Sequence, residues 1–262
     1  MSTPPMFNIP PLPGPGNRNE LLGLIGSILG TILAIVGVLF SVTYSPGIPG
    51  SSSRDTQVQI APAGTKVRQG DNILVGDTYC TLSYIDINNN VGYTAAHCAE
   101  NTDQNPVRVV LVKDGIHQQI GTASFVDGYN PTSVDRDIDA AVITFEREYD
   151  LSNDITHLAP VLAPSEVHVG DSVCTYGATT HTENCSRIFK VDTHTFTASY
   201  AGTRLGDSGG PAWIVDDNGV VRGIAGLTSY ISPDDNGTFK SSTFTFLASA
   251  GVRPGSPAKV GL

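Results

Sequence analysis

Gly206-Asp207-Ser208-Gly209-Gly210-Pro211 is the stretch on which the fold turns. A serine hydroxyl is a poor nucleophile until a base takes its proton, and the carbonyl it attacks needs donors where its oxygen becomes negative. Glycine ahead of the Asp-Ser pair lets the backbone turn so that the amides of Gly206 and Ser208 can point at one oxyanion. Taken alone, the same residues also describe an ordinary glycine-rich turn.

Further back along the chain a base is available. Gly92-Tyr93-Thr94-Ala95-Ala96-His97-Cys98 ends a strand pattern with a histidine beside a cysteine, and a disulfide to Cys80 would fix the turn that presents the imidazole. A lone histidine is more often structural than reactive, but beside the serine stretch His97 becomes a candidate base. An acid is offered by Val134-Asp135-Arg136-Asp137-Ile138-Asp139. A buried carboxylate there would accept the second imidazole N–H, fix its tautomer and stabilise the imidazolium formed during attack.

Around these residues, short β-branched and aromatic runs alternate with turn signals. Tyr79 to Ile87 precedes Asn88-Asn89-Asn90, Val107 to Val112 precedes Lys113-Asp114-Gly115, and Val220 to Thr228 follows Asp216-Asp217-Asn218-Gly219. With 28 glycines and 17 prolines in 262 residues, the pattern predicts an all-β barrel or sandwich. A formal net charge of −10 leaves no basic stripe for a phosphate backbone, so nucleic acid is not an expected partner. The four cysteines fall as Cys80 with Cys98 and Cys174 with Cys185, which predicts two local disulfides out of three possible connectivities. No CxxC pair is present, and a metal site is not expected. Disulfides would place the domain in an oxidising compartment.

The N-terminal part differs in composition. Residues 1–20 are proline-rich and read as a disordered tail. Leu21 to Thr43 is uncharged and rich in Leu, Ile, Val and Gly, long enough as a helix to span a hydrocarbon core of about 30 Å. It predicts an uncleaved signal anchor in preference to a cleaved signal peptide, whose apolar region is about 7–15 residues. Gly26 and Gly30 have the spacing that allows close helix approach and a weak helix-mediated dimer. Residues 44–55 form a Pro/Gly/Ser linker, and 56–262 the domain that follows.

Thr94-Ala95-Ala96-His97-Cys98, an Asp before an aliphatic strand and Gly206 to Pro211, in that order, resemble the chymotrypsin-like serine peptidases. Val173-Cys174-Thr175-Tyr176-Gly177-Ala178-Thr179-Thr180 leading to Cys185, and Gly226-Leu227-Thr228-Ser229, are similar to the bacterial secreted branch, of the Streptomyces-protease and α-lytic type. The resemblance covers about Cys80 to Val252. It implies two packed antiparallel β-barrels, about 70–150 and 160–252, with the site between them. His97 and Asp139 would come from the first barrel, Ser208 from the second, and each disulfide would lie within one half. Asp139 is the acid that matches, because it directly precedes Ala140-Ala141-Val142-Ile143-Thr144-Phe145.

The implied activity is endopeptidase hydrolysis without cofactor or metal, on protein or peptide substrates. Gly206 and Ser208 would form the oxyanion hole, while Ser229, Tyr230 and Ile231 would pair with the substrate backbone. The position of the acid that selects Lys or Arg in trypsin-like members is Gly202 here, so cleavage after a small or apolar residue is expected. Two departures stand out. No cut site precedes Asn72-Ile73-Leu74-Val75-Gly76, and Thr175 occupies the position where bacterial relatives carry an arginine for the acid next to the serine. Asp207 is thus left without an identified cation, with Arg187 and Arg204 as candidates. An inactive pseudo-peptidase serving as a surface protein-binding module is the alternative, and an esterase a narrower one.

Overall fold

The Asp114-Gly115 dipeptide adopts positive φ at both residues, 51° and 74°, and closes the hairpin around which the first half is built. The computed structural model describes residues 58–100, 102, 106–130, 138–156, 159–234 and 236–255. The tail, the apolar segment 21–43 with Gly26 and Gly30, the linker, and Asp135 and Asp137 lie outside the described residues. Among the described residues no helix is long and apolar enough to cross a membrane.

The first half contains β1 (Gln59–Ile60), β2 (Lys66–Arg68), β3 (Asn72–Val75), β4 (Thr78–Thr81), β5 (Ile85–Asp86), β6 (Val91–Thr94), β7 (Val107–Lys113), β8 (Ile116–Phe125), β9 (Ala141–Phe145) and β10 (Asp150–Ser152). Seven of these strands run in the order β4-β3-β7-β8-β9-β6-β5, with β1 parallel against β8, while β10 pairs with β2. The two edges of the seven-strand run are consecutive pieces of one segment. Between them Ser83 donates to the Tyr93 carbonyl at 2.8 Å and Tyr93 to the Tyr84 carbonyl at 2.9 Å, so the sheet closes on itself as a barrel.

The expected single strand over Tyr79 to Ile87 is therefore two. Leu82 still donates to the Asp71 carbonyl at 3.0 Å beside β3, and from Ser83 onward the segment pairs with Tyr93 and then with β6.

The second half contains β11 (Ser172–Tyr176), β12 (Glu183–Val191), β13 (Thr195–Ser199), β14 (Pro211–Val215), β15 (Val221–Pro233) and β16 (Phe239–Phe246). They close as a barrel in the order β11-β12-β13-β16-β15-β14. Phe196 packs on Phe244 and Phe246, with ring centroids 5.0 and 4.9 Å apart, and all three are fully buried. Truncating such a ring to alanine costs about 3–5 kcal/mol. The strand expected over Val220 to Thr228 continues to Pro233, and this extension carries Ser229, Tyr230 and Ile231 to the site. Both halves are all-β, as expected, and each disulfide lies within one half, Cys80–Cys98 in the first and Cys174–Cys185 between β11 and β12.

Candidate active site

β6 ends at Thr94, and the chain turns at once into a short 3-10 helix, Ala96–Ala99, that presents His97. The neighbouring Cys98 is bonded to Cys80 at the end of β4, so the imidazole rests on a covalent frame. Asp139 stands just ahead of β9 and is completely buried. Its Oδ2 lies 2.7 Å from His97 Nδ1, and its Oδ1 accepts the His97 backbone amide at 2.9 Å. Its own amide donates to the Thr245 hydroxyl of β16 at 3.3 Å.

The Ser229 hydroxyl also donates to Asp139 Oδ2, at 2.5 Å. Burial by itself would push the Asp139 carboxyl up. The His97 hydrogen bond and charge, with the Ser229 hydroxyl and the His97 amide, outweigh it and hold the group below its ordinary value of 3.8.

Ser208 sits in the turn between β13 and β14. Gly206 has φ of +95° and Gly209 of +82°, a region that side chains disfavour. A Cβ at Gly209 would lie 2.1 Å from the Thr94 hydroxyl and 2.6 Å from the Thr81 carbonyl. Only glycine lets the serine turn approach the first barrel this closely. Neither the Gly206 amide nor the Ser208 amide meets an acceptor among the described residues.

His97 and Ser208 both face one cavity of about 220 Å³, which Thr203, Arg204, Leu205, Thr228, Ser229, Tyr230 and Ile231 also line. No carboxylate side chain is among the lining residues. A hydroxyl and an imidazole held by a buried acid at one cavity, with the unpaired amides of Gly206 and Ser208 in the same turn as that hydroxyl, are the parts that acyl transfer requires.

The family model of trypsin matches residues 53–246. The chain belongs to the trypsin family. An uncharacterized protein of Mycobacterium tuberculosis, Rv1815, is 28% identical over 195 residues, covering 68% of this chain and 76% of its own. Among solved structures, the chymotrypsin of Cellulomonas bogoriensis shares the fold with a TM-score of 0.50 at 19% identity, over 72% of this chain and 98% of that one. A glutamic-acid-specific serine protease shares it with a TM-score of 0.51 at 16% identity, over 70% and 95%.

Within this trypsin-family domain the sequence expectations divide. The structure brings His97, Asp139 and Ser229 into contact and sets Tyr230 and Ile231 on the cavity wall. Ser229 also lines the cavity, and the engagement of its side chain by Asp139 leaves its backbone for the expected pairing with substrate. Gly202 is not among the residues lining the cavity, which include its neighbour Thr203, and a Cβ at Gly202 would lie 3.4 Å from the Asn184 side chain.

Backbone amides face Asp207. The carboxylate is 1% exposed and accepts backbone amides, Thr179 at 2.9 Å and Thr180 at 3.0 Å on Oδ1 and Arg204 at 2.8 Å on Oδ2. Arg204 contributes its amide, and the Arg187 guanidinium bonds the Gly170 carbonyl. Gly177 makes this possible, because a Cβ there would lie 2.0 Å from the Asp207 carboxyl. No sequence motif signals such an amide nest. The nearest hint is the small-residue run Gly177-Ala178-Thr179-Thr180.

Proposed function

We propose that the chain is a serine endopeptidase acting through His97, Asp139 and Ser208. The observation that carries it is the 2.7 Å contact of His97 Nδ1 with the buried Asp139, with His97 and Ser208 on one cavity. In the cycle, Ser208 Oγ attacks the peptide carbonyl while His97 takes its proton. The Gly206 and Ser208 amides donate to the oxyanion. The imidazolium, stabilised by Asp139, returns the proton to the leaving amine, and the acyl-enzyme remains. Water, deprotonated by His97, then releases the acid and restores Ser208. Nothing in this sequence of proton transfers calls for a metal or cofactor.

The substrate backbone adds as a strand beside Ser229–Ile231. A small or apolar side chain enters the cavity, because no carboxylate lines it to pair with Lys or Arg. The test is labelling of the full chain with a fluorophosphonate probe, with Ser208→Ala and His97→Ala as controls, followed by peptide and ester turnover. Labelling that both substitutions abolish is expected. A folded chain that stays unlabelled would sink the proposal and leave a protein-binding module in its place.

The same proposal includes a tether. The uncharged segment 21–43 anchors the chain as a single membrane helix, with the peptidase domain on the extracytoplasmic side, where disulfides such as Cys80–Cys98 and Cys174–Cys185 persist. Full-length chain should stay with membranes through an alkaline carbonate wash, and deletion of 21–43 should release it. Full-length chain found in the wash would rule the tether out.

A further inference from the structure

Thr81 ends β4 in the first barrel, next to Cys80, and is fully buried. Its hydroxyl donates to the Gly206 carbonyl at 2.8 Å and accepts the Ala178 amide at 3.0 Å. Its amide donates to the Ser208 carbonyl at 2.8 Å. Its carbonyl accepts the Thr94 hydroxyl at 2.9 Å. One residue of the first barrel thus grips the serine turn of the second on both sides of Asp207.

We propose, on the reading of Ser208 as nucleophile, that the Thr81 hydroxyl is a positioning residue that holds the Gly206 amide toward the substrate oxyanion. Gly206 needs this hold because of its own chemistry. Its φ of +95° requires glycine, and a Cβ there would lie 2.2 Å from Thr179 Oγ1. Glycine is also free to leave that conformation, since the backbone alone does not fix it. The planar peptide that follows Gly206 is fixed once its carbonyl is bonded and the Asp207 carboxylate is seated in its amides. The Gly206 N–H itself belongs to the preceding Leu205–Gly206 peptide, the middle of the turn that the Asp207 amide closes on the Arg204 carbonyl at 3.0 Å. Holding the plane after Gly206 anchors one end of that turn and restrains the amide.

A common frame links this grip to the base. Thr81 follows Cys80 and His97 precedes Cys98, and those cysteines are bonded. The proton acceptor and the clamp on the oxyanion turn are therefore carried on two arms of one disulfide. The first barrel sets the distance between base and oxyanion donors, although the donors belong to the second.

The test compares full-length chains carrying Thr81→Val, Thr81→Ser and Thr81→Ala with wild type. The readouts are kcat and KM on a tetrapeptide p-nitroanilide ending in alanine, fluorophosphonate labelling, and melting by circular dichroism. Losing an oxyanion donor outright costs about 10²–10³ in kcat, so a loosened donor should cost about tenfold or more. Thr81→Val should show that fall with KM within about twofold, and Thr81→Ser should stay within about threefold of wild type.

Should Thr81→Val fail to fold, the kcat ratio of Thr81→Ser to Thr81→Ala isolates the hydroxyl, and a ratio of about ten is expected. A ratio near one, a Thr81→Val enzyme with wild-type kcat, or a KM that rises as kcat falls would overturn the positioning role. In those cases wild-type labelling leaves the peptidase reading standing. A wild-type chain that neither labels nor turns over overturns both.

Discussion

Asp139, ahead of β9 in the first barrel, and Asp207, ahead of β14 in the second, are 0% and 1% exposed, yet they meet different partners. Asp139 faces an imidazole and a hydroxyl. Asp207 faces the amides of Thr179, Thr180 and Arg204. A buried carboxylate is costly unless it is paired or hydrogen-bonded, and both solutions meet that requirement. They differ in what can change. An imidazole gains and loses a proton, so Asp139 sits where charge moves during the proposed reaction. Amides do not titrate, so Asp207 serves a part of the site that has to stay still.

The largest expected effect comes from removing the charge at the moving site. Asp139→Asn should lower kcat by about 10⁴, because the amide favours the wrong imidazole tautomer, while the fold survives. A loss below about tenfold in steady-state assays would mean that Asp139 only anchors the loop.

At the static site the damage should appear in stability as well as in rate. In Asp207→Asn the side-chain NH₂ would confront a donor, the Arg204 or the Thr179 and Thr180 amides, depending on its orientation. Urea unfolding should show a loss of about 1–3 kcal/mol. kcat should fall on the order of tenfold to a hundredfold as the oxyanion amides shift. Loss of activity at unchanged stability would contradict a structural nest.

Ser229→Ala sharpens the contrast through pH. The native Asp139 carboxyl is held below its ordinary 3.8 despite burial, by His97 first and Ser229 after it. A depressed native pKa gives stability that is present above the unfolded value and lost as the pH falls through the native one. Removing the hydroxyl should therefore cost about 1–2 kcal/mol at neutral pH. The gap from wild type should close in acid, once Asp139 is protonated in both. A gap that persists unchanged at pH 2 would tie the loss to packing.

The smallest expected effect is none. If Asp207 depended on a newly cut N-terminus, kcat/KM would decline as an ammonium of ordinary pKa about 8 lost its proton. With amides as partners, kcat/KM should stay level through about pH 8–9.5, and cleavage ahead of β1 should change it less than about twofold. A decline in that window that depends on the cut would break the comparison.

Much of this arrangement was legible in the residues themselves. His97 beside Cys98, Ser208 within Gly206 to Pro211 and the spacing of the cysteines are local patterns with local causes. The alternation of β-branched runs and turn residues gave all-β, and Asp114-Gly115 marked a hairpin. The remainder was illegible because it joins residues distant in sequence. The Ser229 hydroxyl could not be assigned to Asp139 until β15 ran past Thr228. That Thr203 lines the cavity likewise depends on the path of the chain from residue 199 to Pro211. Arginines were natural candidates for Asp207, since composition displays side chains and hides backbone donors.

The sequence by itself determined the strand-forming character of the chain, its cysteine pairs, its membership in a peptidase family and the identity of the candidate base and nucleophile. Each follows from residue type or short-range spacing. Tertiary structure alone decided the partners of Asp207, the grip of Thr81 on Gly206 and the close approach at Gly209. Those contacts join the two barrels or distant loops. They use backbone amides and carbonyls that every residue carries, so only the folded path of the chain selects among them.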